Sequence, residues 1–356
     1  MELNNQHNVI LQIHNRLILT PMGLATKIQH LATPLSWDVF HAPELPVVDP
    51  PHNYTTSPTS FTLPHGQSTA VLVDAPVSIE TSNALADWVL EIIGSKTLTH
   101  IYITHGHGDH FFGIPILQRF PGVIAIATAR TIAHVAEQLS YAEFIEFWSA
   151  TFPDQIPTHN ETIQPLPLDG KFYLEGHLLQ AVEVGQSDTY NTTVLHVPSL
   201  DLVITGNAVH GECFQYLVET NTAQLRAEWI RAVDKIENLR PKIVVPSYKQ
   251  IWDGYGTDHF GKTRQYIKDW ENLLEVATSA SDLKEKITAL YPQRVGDWIL
   301  GISIDECEGK GRDFFPTPGS RYERIQSVPC NQGNREQFKR GRVNSLSTSS
   351  LGARYN

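Results

Sequence analysis

The chain has 356 residues, 41% of them hydrophobic, with 7 Trp and 14 Phe, so it can bury a large core and a disordered class is excluded for its body. Its formal net charge of −11 argues against nucleic acid or an anionic membrane as the main partner. Only three cysteines occur, Cys213, Cys307 and Cys330, far apart and without a CxxC pair. A disulfide framework is therefore not expected, and a reducing, cytoplasmic setting fits. The N-terminus lacks a basic stretch followed by an apolar core, and no window of about 18 apolar residues occurs, so neither a signal peptide nor a membrane span is expected.

Residues 1–55 read as an irregular leader rich in Pro and His, as in FHAPELPVVDPPHNY. TAVLVDAP (69–76) is a short buried strand that ends on Asp74. Ser78 is placed to cap a helix over IETSNALADWVLEII, where Leu85, Trp88, Val89, Ile92 and Ile93 recur at helical spacing. THIYIT (99–104) is a second buried strand, FPGVIAIAT (120–128) a third, and ARTIAHVAEQLS (129–140) a helix. The segment 141–170 is aromatic and interrupted by proline. HLLQAVEV (177–184), TTVLHVP (192–198) and LDLVITG (200–206) form a strand-rich block. A long amphipathic helix (222–240), the strand KIVVPSY (242–248) and helices over 261–280 and 281–291 follow. This mixed order predicts two sheets with helices outside them in one domain over 56–300. Residues 301–356 read as a polar, disordered basic tail. From residue 309 onward it carries nine Lys+Arg and three Asp+Glu, which leaves −17 for the rest of the chain.

The chemistry is concentrated in ITHGHGDHFFG (103–113). His105 and His107 lie on one side of an extended segment, because side chains there alternate. Asp109 and His110 begin the turn into the next helix and can address a second position. Imidazole nitrogens with carboxylate oxygens are the donor set for zinc, iron or manganese.

THGHGDH after a buried strand, with an upstream strand ending in VLVDAP, resembles the metallo-β-lactamase superfamily, and in detail its stand-alone hydrolase-like members of fungi and bacteria. ALADWV, IYITHGHGDHFFGIPIL and DTYNTTVLHVPSLDLVITG carry the likeness, which spans about residues 35–300. It implies an α/β fold, a four-layer αββα sandwich, with one or two Zn2+ ions between the sheets at one edge. The family's ligand motif matches His105, His107, Asp109 and His110, with Asp109 also catalytic, orienting water or accepting its proton. Asp74 matches the aspartate that supports the ligands from behind. Downstream the chain departs from the pattern: Gln186 and Tyr248 stand where histidines are usual, and Asn207 where the bridging aspartate is usual. These three and His210 are weak ligand candidates. Asp188 reads as a residue that orders its own turn, and His196 as one that packs in the sheet.

Two functions follow as expectations. One is hydrolysis of an ester, thioester or lactone of a small molecule, with tailoring of a natural product as the family's suggestion. The other is a degenerate member that binds metal weakly or not at all and serves as a binding protein or non-hydrolytic enzyme. A nuclease is disfavoured by the acidic body.

Overall fold

The computed structural model describes residues 34–158 and 162–309. The reading of 1–33 and of the tail beyond 309 lies outside the described residues. Strands β1 (Ser36–Ala42), β2 (Thr59–His65), β3 (Thr69–Val73), β4 (Thr97–Tyr102), β5 (Ile124–Ala127) and β6 (Ile163–Pro165) form one sheet in sequential order. Its first two pairings are antiparallel and the remaining three parallel. Strands β7 (Lys171–Leu174), β8 (His177–Gly185), β9 (Thr192–Val197), β10 (Leu202–Ile204) and β11 (Ile243–Val245) form the other, antiparallel except for the β10–β11 pair.

The first sheet is apolar on both faces, and β3 shows why its sequence runs without alternation. Val71 and Val73 join Tyr102 and Ile126 in the core between the sheets, where Leu179, Leu195, Val197, Leu202 and Ile204 meet them from the other side. Ala70 and Leu72 point the opposite way, into the layer under the helices. A strand covered on both faces must be apolar at every position. Helix α1 (Ile79–Ile93) supplies that cover with a stripe of Leu85, Ala86, Val89 and Ile93. Ser78 caps it by accepting the Thr81 N–H, and Gly94, at φ 57°, ends it.

Short α2 (Ile114–Leu117) follows the histidine-rich turn, and α3 (Ala129–Gln138) follows β5, capped by Thr128. The Pro-interrupted segment begins helical: a π-helical stretch, Ala142–Trp148, runs into a single turn, α4 (Ser149–Thr151). On the second sheet, α5 (Ala223–Glu237) buries Arg226, Trp229, Val233 and Ile236 at helical spacing. α6 (Asp258–Val276), α7 (Ala280–Leu290) and α8 (Asp297–Gly309) complete the described chain. No described helix is long and apolar enough to cross a membrane.

The two sheets flanked by helices are the architecture expected from the sequence. Two segments differ from the expectation. β1 and the bridges Pro46–Thr55 and Asp49–His52 lie within 1–55, which read as an irregular leader. β1 is an edge strand whose residues are mostly half-buried, so it shows no strong apolar alternation. α8 extends to Gly309, past residue 300, because Trp298, Ile299, Leu300, Ile302 and Ile304 pack into the core.

One hydroxyl ties the layers together beside the site. Thr193 on β9 donates to the Thr104 carbonyl at 2.6 Å and accepts from the Tyr102 hydroxyl at 2.6 Å. Removing its partner, the Tyr102 hydroxyl, with Tyr102→Phe leaves Thr193 its other bond and keeps the ring's packing. The expected cost is about 1 kcal/mol in urea unfolding at neutral pH. A loss several times larger would mean that the hydroxyl organises more of the sheet contact than this single bond.

Candidate metal centre

Asp74 sits at the end of β3 with φ 64°, in the left-handed region that an aspartate tolerates better than most side chains. It is 1% exposed. Its Oδ1 accepts the Thr104 N–H at 2.8 Å, and its Oδ2 accepts the Thr104 hydroxyl at 2.9 Å and His110 Nδ1–H at 3.0 Å. Because Thr104 gives its proton to Asp74, its oxygen is left to accept from His105 Nδ1 at 3.0 Å. Both imidazoles are thus pinned through Nδ1, with Nε2 turned the other way. This outer-partner arrangement orients metal-binding histidines.

The glycines of the motif are required by close approach. A Cβ on Gly106 would lie 2.4–2.6 Å from the His134 ring and its Cβ, and one on Gly108 would lie 2.1 Å from the Phe112 ring. Alternating glycine lets α3 and the aromatic layer close on the turn that carries the histidines.

His105, His107 and Asp188 are all buried and offer ligand atoms within 4.8 Å of one another. His105 Nε2 is 3.9 Å and His107 Nδ1 3.3 Å from Asp188 Oδ2. A second group, His107, His134 and Glu219, meets the same criterion, with His107 Nε2 3.0 Å from Glu219 Oε1. His107 belongs to both groups. His107, Asp188, His134 and Glu219 line a cavity of about 400 Å3. Asp109 also lines it, accepts the Tyr248 hydroxyl, and stands 3.5 Å from His110 Nε2, which has no hydrogen-bond partner.

Of the four motif residues, His105 and His107 fall in these groups, whereas Asp109 and His110 belong to neither and lie 3.5 Å apart beside them. The downstream candidates divide. Asn207 is at the centre, its Nδ2 3.2 Å from His105 Nε2 and 3.0 Å from Asp188 Oδ2, while its buried Oδ1 has no partner. Gln186 reaches the cavity wall but spends its amide on the Ser187 and Glu219 carbonyls and the Thr220 hydroxyl, at 3.1–3.3 Å. It staples the loop that presents Asp188. Tyr248 is a donor to Asp109, and its pKa is held well above the ordinary phenol value by burial and by that carboxylate, so it stays a phenol. His210 does not line the cavity; it stacks on Tyr248 with ring centroids 5.6 Å apart. His196 sits half-buried in β9 as expected, paired with Gln180 and Val203.

Asp188 needs correction. It does order its turn, accepting the Ser187 hydroxyl at 2.8 Å through Oδ1, but its Oδ2 faces the histidine pair. Burial opposes its ionisation, yet the His105 and His107 imidazoles and the Asn207 amide against it outweigh that and hold it well below the usual carboxylate range. His134 and Glu219 carry no sequence signal: one lies in an amphipathic helix like any core histidine, the other in a loop without a motif. Only the fold brings them within reach of His107.

The fit to a cation can be judged from the donors. Two imidazoles and an ionised carboxylate are a zinc-type set. The unpartnered Asn207 Oδ1 and His110 Nε2 are buried acceptors that a cation or its water would satisfy. The residues present fit a divalent metal.

A model of the metallo-beta-lactamase superfamily matches residues 55–248, more than half of the chain, which therefore belongs to that superfamily. Among solved structures the chain is similar to a metallo-beta-lactamase from Pontibacter korlensis: 18% identity, TM-score 0.48, covering 62% of this chain and 92% of that one. It is also similar to the metallo-beta-lactamase FIM-1 from Pseudomonas aeruginosa in its mono-zinc form: 15% identity, TM-score 0.46, covering 67% and 96%. A third is the enzyme from Hirschia baltica: 17% identity, TM-score 0.44, covering 65% and 93%. No curated protein matches.

His210 provides a pH test of the centre's packing. Both its ring nitrogens are buried without partners, and burial pushes its pKa down to about 3. The unfolded chain therefore binds this proton first as pH falls below about 6.5. The stability from the neutral ring is present above that pH and is lost progressively down to about pH 3. Between pH 7 and 5 the loss from this group is about 2 kcal/mol. His210→Phe keeps the ring and removes the titration, so its unfolding midpoint in urea falls less over this range than that of the unsubstituted chain. Equal slopes would show that His210 is not held neutral.

Proposed function

We propose that the chain is a metal-dependent hydrolase of a small-molecule ester, thioester or lactone. The observation that carries this reading is the His105–His107–Asp188 group at the wall of a roomy cavity, with Asp109 beside it. His105, His107 and Asp188 would hold the metal. A divalent ion bound there supplies Lewis acidity and lowers the pKa of water toward neutrality.

The chain's own residues account for the rest of the reaction. Asp109 would orient the attacking water and take its proton; it accepts the Tyr248 hydroxyl and lies near His110 Nε2. Tyr248 stays protonated and remains a neutral donor on the wall. Thr104 and Asp74 hold His105 and His110 through Nδ1. Exchanging the two ends of the Asn207 amide turns its unpartnered Oδ1, in place of Nδ2, toward His105 and Asp188, which accommodates a cation.

A specific observation favours a second reading, a binding protein that works without metal. Asn207 bridges His105 and Asp188, and His107 spans Asp188 and Glu219, so the group is already cross-linked by hydrogen bonds.

Metal content after dialysis against zinc, together with turnover of an ester, a thioester and a lactone panel with and without EDTA, separates the two. We expect close to one zinc per chain, because His107 is shared by both groups, and activity that EDTA abolishes. Asp188→Asn should weaken zinc binding by at least tenfold, more than loss of an outer partner does. A dialysed protein that retains no zinc and turns over nothing, or one that stays active in EDTA, would remove the metal-dependent reading.

A further inference from the structure

The walls of the cavity above the metal group have a pronounced chemical bias. Asp109, Glu137, Glu143, Asp188, Glu219 and Glu306 all line it, and among the described residues no Lys or Arg does. A dication on the histidines would offset only part of this, and the lining would stay negative. Much of the remaining wall is aromatic. Phe147 and Trp298 lie nearly parallel, with ring centroids 6.1 Å apart, and Trp148, Tyr190 and Tyr216 extend the surface.

Two of the ring donors are already committed: Trp148 Nε1–H goes to Gln138 at 2.8 Å and the Tyr190 hydroxyl to Glu137. Asn207 adds an acceptor oxygen that is buried and unpartnered at the cavity's inner wall. Glu143, half-buried on the π-helical stretch, shows the strain of like charges: burial, then Glu219 and Glu137, hold its carboxyl above the usual range.

An anionic ligand would meet six carboxylates in this lining and no Lys or Arg among the described residues. A neutral ligand would offset none of that charge. A cation gains twice, from the carboxylates and from the faces of the aromatic rings.

We infer that the compound bound in this cavity carries an organic cation, an amine or quaternary ammonium, seated between the Phe147–Trp148–Trp298 wall and the Glu137–Glu143 side. This names the substrate class of the proposed hydrolase and rests on that reading for the reaction, though not for the binding. The cation is a part of the substrate remote from the reacting carbonyl and serves to position it. Association is steered by the acidic body of the chain.

The test is calorimetric binding of three probes of one size, 2-phenylethylamine, phenylacetamide and phenylacetate, to the full chain, both zinc-loaded and EDTA-treated. The amine is expected to bind at least tenfold more tightly than the amide in both forms, and the acetate to be weakest in the EDTA-treated protein. Raising the salt concentration should weaken only the amine. Glu143→Gln, an isosteric change at a half-buried position, should lower amine affinity about tenfold and leave the amide unchanged. Amide or acetate binding as tight as the amine in the EDTA-treated protein would overturn the inference, as would an amine affinity indifferent to salt and to Glu143→Gln. Amine selectivity without zinc-dependent turnover would leave the inference standing and remove the hydrolase reading. Zinc-dependent turnover with no preference for the amine would do the reverse.

Discussion

A single buried carboxylate fixes the geometry on which the site depends. Asp74 is enclosed at the end of a central strand and satisfied by a backbone N–H, a threonine hydroxyl and an imidazole. A buried charge is tolerated only when its lone pairs are taken up in this way. The arrangement propagates. Thr104 must donate to Asp74, so it must accept from His105, and two histidine tautomers are set by one acidic side chain. The strands carrying Asp74 and Thr104 pair side by side in parallel, so the chemistry is tied to the sheet register.

The same register explains what could be read from the sequence. β3, α1 and β4 are legible because two-sided burial leaves a continuous apolar run and because Ser78 caps a clean helical stripe. The ligand motif is legible because its four side chains are close in sequence and its glycines are needed by the neighbours that press on it. β1 is not, since an edge strand of half-buried residues has no strong periodicity. β2 contains Pro64, which weakens any strand signal further. The π-helical stretch hides behind aromatic composition, and α8 behind a domain limit drawn too early.

The downstream half of the site was legible in residue types but only partly in roles. Asn207 stands at the centre, as its alignment with the family's bridging position implies, and Gln186 reaches the wall, yet it holds a loop where a ligand was expected. Asp188 shows the limit most clearly. A turn aspartate bonded to the neighbouring serine is an ordinary local motif, and one of its oxygens behaves that way. The other oxygen faces two histidines that are about eighty residues away in sequence, a relationship that no local pattern encodes. Glu219 and His134 belong to the same class of long-range partners.

These placements change the meaning of the substitutions. With Asn207 in place of an aspartate, a dication loses one negative ligand, and counted position by position the site looks impoverished. Counted in space, a carboxylate is present: Asp188 is ionised and lies against both motif histidines. Asn207 then serves as a spacer that hydrogen-bonds both His105 and Asp188 and keeps them from collapsing onto each other. The charge needed to hold a cation has been moved by one loop, and Gln186 is the residue that fixes that loop. The second position has changed in kind. With Tyr248 held as a phenol against Asp109, the pair offers one carboxylate and one neutral donor where the family pattern offers a carboxylate and a histidine. Both ligand groups among the described residues accordingly draw their carboxylate from outside the motif, from Asp188 and from Glu219, and share His107.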